Sequence, residues 1–342
     1  MDHIGIDVHK RESQICIVTG DGEIVETRIR TERERFASVL GGRAPSKIVI
    51  EASTESEWVA CCLEELGHEV IVADPNFALM YATRSRRIKT DRRDAKALAD
   101  ACQHGHYRPA HRTSSEQRRV RSLLTVRETL VRTRTRMIVV CKALLSRQGI
   151  RIATGESEHF VTRVRAEGLL PSVQDELEPL LVVLEQLQTQ VDTLDAAIAR
   201  LAKEQAPVRA LCTVPGVGPV TAAAFVAAVD DAKRFRRAHQ LEAYLGLVPS
   251  EHSSGEKQQR GSITKAGPPR VRSLLVQAAL GLLHHRQPSS ASLRDWALKI
   301  KQRRGQGIAI VALARRLAGI LWAMMRDGTT YRSQVSQPVR SA

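Results

Sequence analysis

Four acidic residues in the first hundred positions have the placement that metal-ion chemistry on phosphodiesters needs. Asp7 stands inside an apolar run, between Ile6 and Val8, and Glu51 closes a second one, Ile48-Val49-Ile50. An ionised carboxylate in such a place is costly without compensation. Asp91 and Asp94 are three apart, so on a helix they share a face. Oxygens gathered from two strand ends and a helix suit a hard cation such as Mg2+, which keeps open positions for water and phosphate oxygens. Two such ions about 4 Å apart stabilise both the attacking and the leaving oxygen of a displacement. The helical pair also fits a solvated, ion-paired face, since Lys89, Arg92, Arg93 and Lys96 surround it. Glu55, Glu57, Asp74 and Asp100 are read as acidic neighbours without a role.

A second group lies beyond residue 200. The run Pro215-Gly216-Val217-Gly218-Pro219 precedes an apolar segment that should be helical from Thr221. Glycines there let backbone approach a phosphate, and the free N–H groups of the next helix start point at the anion. The same run also fits an ordinary turn between helices. Further on, Ser253 and Ser254 precede Gly255, with Lys257, Arg260, Lys265, Arg270 and Arg272 close by. A serine hydroxyl is a weak nucleophile until a base or a positive field activates it, and several cations around one serine would hold a scissile phosphate and stabilise its developing charge. Composition alone reads Ser-Ser-Gly as a loop.

The elements that must position these groups are legible as patterns. Residues 3–8 and 14–18 read as strands, and Asp21-Gly22 turns the chain into a third over 23–29. A helix is expected over 31–41, a buried strand over 47–51, a helix over 55–66 and a strand over 68–73. Residues 76–103 read as mostly helical with a basic break at 84–90. This is an α/β layer arrangement. Over 115–147 Leu123, Leu130, Met137 and Leu144 recur every seven residues among arginines 118, 119, 121, 127, 132, 134 and 136. Residues 149–172 read as a connection. Leu177, Leu180, Leu184, Leu187, Val191, Leu194, Ile198 and Leu201 then follow the three–four alternation of a coiled-coil seam. The pattern predicts an antiparallel hairpin or an oligomerisation arm and leaves open whether the partner helix belongs to the same chain. Residues 207–330 read as helical apart from a Gly/Ser/Lys-rich segment at 249–269.

Bulk composition narrows the partners. The 342 residues carry 52 Lys and Arg against 37 Asp and Glu, a formal charge of +15, which nucleic acid would neutralise. Aromatics are only 4%, which argues against single strands stacked on aromatic platforms and for phosphate contacts. None of the six cysteines makes a C-x-x-C pair, so neither a zinc site nor a disulfide framework is expected. No signal peptide is read at the N-terminus. The apolar stretch from Ile308 to Met325 is interrupted by Arg315 and Arg316 and is read as no membrane span.

The motifs G-I-D-V-H-K (5–10), I-V-I-E (48–51) and K-T-D-R-R-D-A (89–95) resemble the DEDD signature of the insertion sequence 110-type transposases. The segment L-G-L-V-P-S…S-G-E-K…G-S-I-T-K-A-G resembles the core of the same family's C-terminal domain. The resemblance implies a RuvC-like, RNase H-type α/β domain over 1–112, with Asp7, Glu51, Asp91 and Asp94 as Mg2+ ligands. It implies a helical coiled-coil arm over 113–205. Residues 206–330 would form a mostly helical transposase domain, with a helix-hairpin-helix element and a serine that forms a covalent phosphoserine link to DNA. Residues 331–342 would be a disordered tail. Ser254 matches that serine best, Ser253 second. Gly216, Gly218, Lys257, Arg260, Lys265 and Arg270 are the expected nucleic-acid contacts. Donor and target DNA, a structured guide RNA encoded by the element and a homo-oligomer, dimer or tetramer, are the implied partners. The implied location is the bacterial cytoplasm, at the nucleoid. Pro268-Pro269 depart from the family, which usually has a small polar residue, often Asn, after K-x-G; proline removes backbone donors for a phosphate. Two other readings stand beside this one: a junction-specific nuclease using the RuvC-like domain alone, and a non-catalytic oligomeric nucleic-acid-binding protein.

Overall fold

The computed structural model describes residues 1–81, 90–251, 260–284 and 288–332. The chain divides into two compact units, Met1–Thr113 and Ser114–Ala342.

The first unit is built on a five-stranded mixed sheet. Strands β1 (His3–Val8), β2 (Glu12–Val18) and β3 (Ile24–Arg30) form an antiparallel meander, and β4 (Lys47–Glu51) and β5 (Glu69–Ala73) continue it in parallel with β1. The order is β3-β2-β1-β4-β5, so β1 is central and flanked on both sides. Side chains alternate across a strand, and the two faces are covered differently. Ile4, Ile6, Ile15, Ile17, Ile48 and Ile50 pack against helices α1 (Arg33–Leu40) and α2 (Ser56–Glu65) through Phe36, Leu40, Val59 and Leu63. Cys16, Val18 and Val49 face the other way, onto Ala95, Leu98 and Ala99 of α3 (Asp91–His104). A short 3-10 turn, Ala78–Tyr81, follows β5. The basic stretch expected to break the helix falls largely in 82–89, outside the described residues.

In the second unit, α4 (Ser115–Arg147) and α6 (Pro171–Glu204) are long helices that pack on one another. Arg127 pairs with Asp195, Arg134 with Gln188, and Ile138 and Leu145 share a core with Leu177, Leu181 and Leu184, so the pair is antiparallel and closed within one chain. The heptad positions Leu177, Leu184, Val191 and Ile198 are buried, whereas Leu180, Leu187, Leu194 and Leu201 are only half-buried. The stretch read as a plain connection holds a two-turn helix, α5 (Phe160–Ala166), whose Phe160 and Val164 plug the far end of the pair.

Among the described residues, six more helices complete this unit: α7 (Ala206–Leu211), α8 (Pro219–Val229), α9 (Ala238–Tyr244), α10 (Pro269–His284), α11 (Ala291–Arg304) and α12 (Gln306–Asp327), with a two-stranded ribbon β6 (Pro249–Glu251) and β7 (Arg260–Ile263). Helix α8 is apolar all round and buried from Ala222 to Val229, as a central helix must be. The expected arm over 113–205 is not a separate body, because it shares a core with the C-terminal helices: Val120, Leu124, Ile198 and Ala202 cluster with residues from Val208 to Met324. By length and composition α12 would cross a membrane. Its Leu313, Leu317, Leu321 and Trp322 are instead core residues, Arg315 pairs with Glu242 at 2.5 Å, and Arg316 lies over the Trp296 ring. Tyr331, assigned to the tail, donates its N–H to the Thr213 hydroxyl and packs on the same core; residues 333–342 lie outside the described residues.

Candidate active site

The register of β1 on β4 pairs Ile6 with Ile50, so the next residues, Asp7 and Glu51, end up side by side where the two parallel strands finish. Both share the sheet face of Gly5 and Val49, the face that α3 covers. Gly5 is the reason α3 can lie so close. A side-chain carbon there would stand 2.2 Å from both the Ala95 carbonyl oxygen and the Ala99 nitrogen, so only glycine lets the helix backbone rest on β1. Thr90 caps the helix, its hydroxyl accepting from the Arg93 N–H. That fixes the first turn, with Asp91 and Asp94 in it, over the end of β1. Carboxylates in a first turn are favoured by the helix dipole.

The four expected carboxylates are therefore neighbours, the other three close enough to act on the charge of Asp7. Asp7 and Asp94 are buried, Glu51 is half-buried and Asp91 is more open. Burial pushes the Asp7 carboxyl above its ordinary value; the adjacent His9 opposes this, and the charges of Asp94, Asp91 and Glu51 add to it. Sequence reasoning missed two side chains here. His9 Nε2 stands 3.3 Å from Asp7 Oδ2 and 3.4 Å from Asp91 Oδ1. Asp7, His9 and Asp91 offer ligand atoms within 4.8 Å of one another. The signal was in the sequence: His9 is two residues past Asp7 and so continues the same face. The other is Tyr81, whose hydroxyl donates to Glu51 Oε2. Burial, this bond and the nearby Glu51, Asp94 and Asp7 charges all push its phenol up. No spacing links Tyr81 to Glu51, thirty positions earlier. Arg28 Nη2, on β3, reaches Asp91 Oδ2 at 3.7 Å, so Asp91 also has an ion-pair partner, on a strand and not among the helix cations that surround it in the sequence.

In the second unit, Gly216 takes a positive φ of 78° in the turn between α7 and α8. Its α-carbon also faces α10: a side chain would meet Leu282 Cγ at 3.0 Å and the Ala278 carbonyl at 3.2 Å. Gly218 is the N-cap of α8 and has open space around it, and Pro219 takes the first helical position. The two motifs that carry the resemblance meet backbone to backbone. Gly246 is seated against Ala266, and Gly267 beneath the Tyr244 carbonyl, where a side-chain carbon would be 1.9 Å away. Arg272 Nη1 donates to the carbonyls of both Leu245 (3.0 Å) and Ala266 (2.8 Å). Lys265 is exposed with φ +55°, a conformation costly for a non-glycine residue, and its N–H donates to the Gly246 carbonyl. Pro269 opens α10, where a missing N–H removes no helical bond. Arg270 is engaged with Glu128 and Thr125 of α4. Arg260 begins β7; Ser253, Ser254 and Lys257 lie outside the described residues.

Comparison with known proteins finds two family matches along the chain. Residues 4–149 match a family model for the DEDD transposases of insertion sequence IS110, described as "Transposase". Residues 208–294 match "Transposase IS116/IS110/IS902 family". The chain is 30% identical over 334 residues to "Transposase for insertion sequence element IS1111A" of Coxiella burnetii, covering 96% of this chain and 91% of that one. It is 33% identical over 340 residues to a "Probable family 20 transposase" of Pseudomonas aeruginosa, covering 97% and 99%. The DEDD match, with the mixed sheet, agrees with an RNase H-like first unit and implies a divalent-metal site among its acidic residues. Both halves, matched in order and over nearly the full length, place this chain in the IS116/IS110/IS902 family of insertion-sequence transposases.

Proposed function

We propose that this transposase is a DNA recombinase that cuts and rejoins strands with Mg2+ held by Asp7, Glu51, Asp91 and Asp94 and with Ser254 as nucleophile. The observation that carries the reading is the proximity of three carboxylates, Asp94, Asp91 and Glu51, to a buried Asp7 whose charge burial and these acids disfavour. The donor set is all oxygen apart from His9, the chemistry a hard divalent cation takes. Bound there, Mg2+ supplies polarisation of a phosphodiester oxygen. The protein groups do the rest. Asp7 and Glu51 are fixed by the strand register, Asp91 and Asp94 by the capped helix, and Tyr81 orients Glu51. The Ser254 oxygen forms an ester with the scissile phosphorus as the bond to the leaving deoxyribose oxygen breaks. Attack of a strand hydroxyl on that ester frees the serine and seals the new junction. Gly216, Gly218, Lys257, Arg260, Lys265 and Arg270 contact backbone phosphates. An element-encoded folded RNA supplies sequence choice, a role that suits a basic α4 and few aromatics, because RNA duplexes are gripped by shape and phosphates. The half-buried heptad row on α6 supports assembly into a dimer or tetramer.

The test is recombination of supplied donor and target DNA with Mg2+, run on denaturing gels. Joined products and a protein–DNA adduct are expected, and Ser254→Ala should lose both. Hydrolysed ends without an adduct, unchanged by Ser254→Ala, would replace this reading with a junction nuclease; binding without any cleavage would replace it with a non-catalytic nucleic-acid-binding protein. A second expected result concerns Tyr81→Phe. Without the phenol, Glu51 loses its orienting bond, and Mn2+ affinity measured by calorimetry should fall about 10- to 100-fold, the usual cost of losing a partner behind a metal ligand.

A further inference from the structure

A long groove on the second unit runs between α4, α8 and α10, and a cluster of three charges divides it. A hollow of about 560 Å³ lies on one side and one of about 250 Å³ on the other; Leu124, Glu128, Arg132, Arg270 and Ser273 line both. Glu128 is the centre of the cluster. Its Oε1 pairs with Arg132, one turn along α4, and its Oε2 with Arg270 of α10. Arg270 also donates to the Thr125 hydroxyl at 3.1 Å. Glu128 and Arg270 are each about a quarter exposed, whereas Arg132 is 78% exposed.

Two guanidiniums, each aimed at a different oxygen of one carboxylate, make the donor arrangement that also recognises the two non-bridging oxygens of a phosphodiester. The cluster keeps a net charge of +1, so an anion that replaces Glu128 meets Arg270, held by the Thr125 hydroxyl, and the exposed Arg132 one turn along α4. Displacing Glu128 has a moderate cost: its pair with Arg270 is only a quarter exposed and so incompletely screened, while the freed carboxylate can turn to water. Packing alone does not require the charges here, since the floor beneath them is apolar, formed by Leu124, Ala224 and Val271.

We propose that this groove is a seat for a nucleic-acid backbone phosphate and that Glu128 is its internal stand-in, displaced when the strand binds. The inference rests on the nucleic-acid reading of this chain and names where and how one phosphate is held. The seat is charged and gated by the protein's own acid, so Glu128 sets the threshold of affinity that a strand must exceed.

The experiment measures binding of a 30-bp DNA duplex and of an RNA hairpin to the full chain by fluorescence anisotropy over a salt series, with thermal melting of each variant alongside. Glu128→Gln should bind roughly tenfold tighter, the worth of one added charge-assisted hydrogen bond. Its logarithmic salt slope should steepen by about one, as for one more phosphate neutralised. Whichever probe shows the larger gain identifies the strand that occupies the groove. Arg132→Ala, at an exposed position, should weaken binding several-fold, and Glu128→Gln with Arg270→Ala should lose the gain. Glu176→Gln, an exposed acid on α6, controls for net charge and should change little. The proposal is overturned if Glu128→Gln melts lower and binds no tighter, or if Glu176→Gln or the double variant gains as much. Absence of binding by every variant to both probes would sink the nucleic-acid reading itself; normal wild-type binding indifferent to Glu128 sinks this inference alone.

Discussion

Replacing Asp7 by asparagine is expected to abolish recombination while leaving the metal-free protein at least as stable as the wild type. The loss should be about 1000-fold or more, at the upper end of what removing one preorganised electrostatic stabiliser costs. The stability result has the opposite sign for a physical reason. Burial and the charges of Asp94, Asp91 and Glu51 raise the Asp7 carboxyl above its ordinary value, so holding it ionised in the folded state opposes folding. Asparagine removes that cost. Its advantage is full above the raised folded value and closes as pH falls from there to the ordinary carboxylate value. Thermal melts in EDTA at neutral pH and near pH 4 check both limbs. Added Mg2+ should reverse the order, because a ligand at a hundred times its Kd stabilises by about 2.7 kcal/mol and the variant forfeits most of that gain. A variant that is inactive and also less stable in EDTA would make Asp7 a structural residue.

The second large effect is expected at Gly5→Ala. A methyl group there enters the backbone of α3 at Ala95 and Ala99, 2.2 Å from each. Backbone cannot turn aside as a side chain can, so the helix must lift from the sheet. The cost should be about 3 kcal/mol, the upper part of the range for overpacked cores, read as a fall of roughly 10 °C or more in the melting of the first unit. Recombination should fail as well, since Asp91 and Asp94 ride on the displaced end. Gly42→Ala is the control: a side-chain carbon there meets nothing within 4 Å, and its effect should stay within about 0.5 kcal/mol. An active Gly5→Ala protein would show that the acidic cluster tolerates a shifted helix.

These two positions differ in how far the sequence made them legible. Asp7 was conspicuous because a carboxylate amid isoleucine and valine breaks a strand's apolar pattern, and such a break is local. The strands of the first unit fall within two residues of expectation for the same reason. Gly5 carries no such mark: its meaning depends on a helix ninety residues later, and close approach between distant segments leaves no periodic trace. Tyr81 is invisible in the same way. The heptads of α6 were readable as a seam but not as to partner. The structure closes the buried row on α4 and leaves the alternate row half-covered, a division that no count of leucines contains. Arg270 stands among cations in the sequence, yet its partner is an acid 142 positions away.

The core of the second unit draws on Val120 and Leu124 near its beginning and on Leu321, Trp322 and Met324 near its end. On the ribosome this matters. The first unit has its buried core residues by Cys102 and the Tyr107 and Ala110 that pack against them soon after, and it can settle while the remainder is still being made, as domains commonly do. The second must wait for more than two hundred further residues, its core covered meanwhile only by the helices already made. A nascent chain cut short before α12 would thus carry a finished first unit, with its acidic cluster, joined to a second unit unable to hold its shape, so that prematurely terminated products are expected to be cleared rather than to compete for DNA.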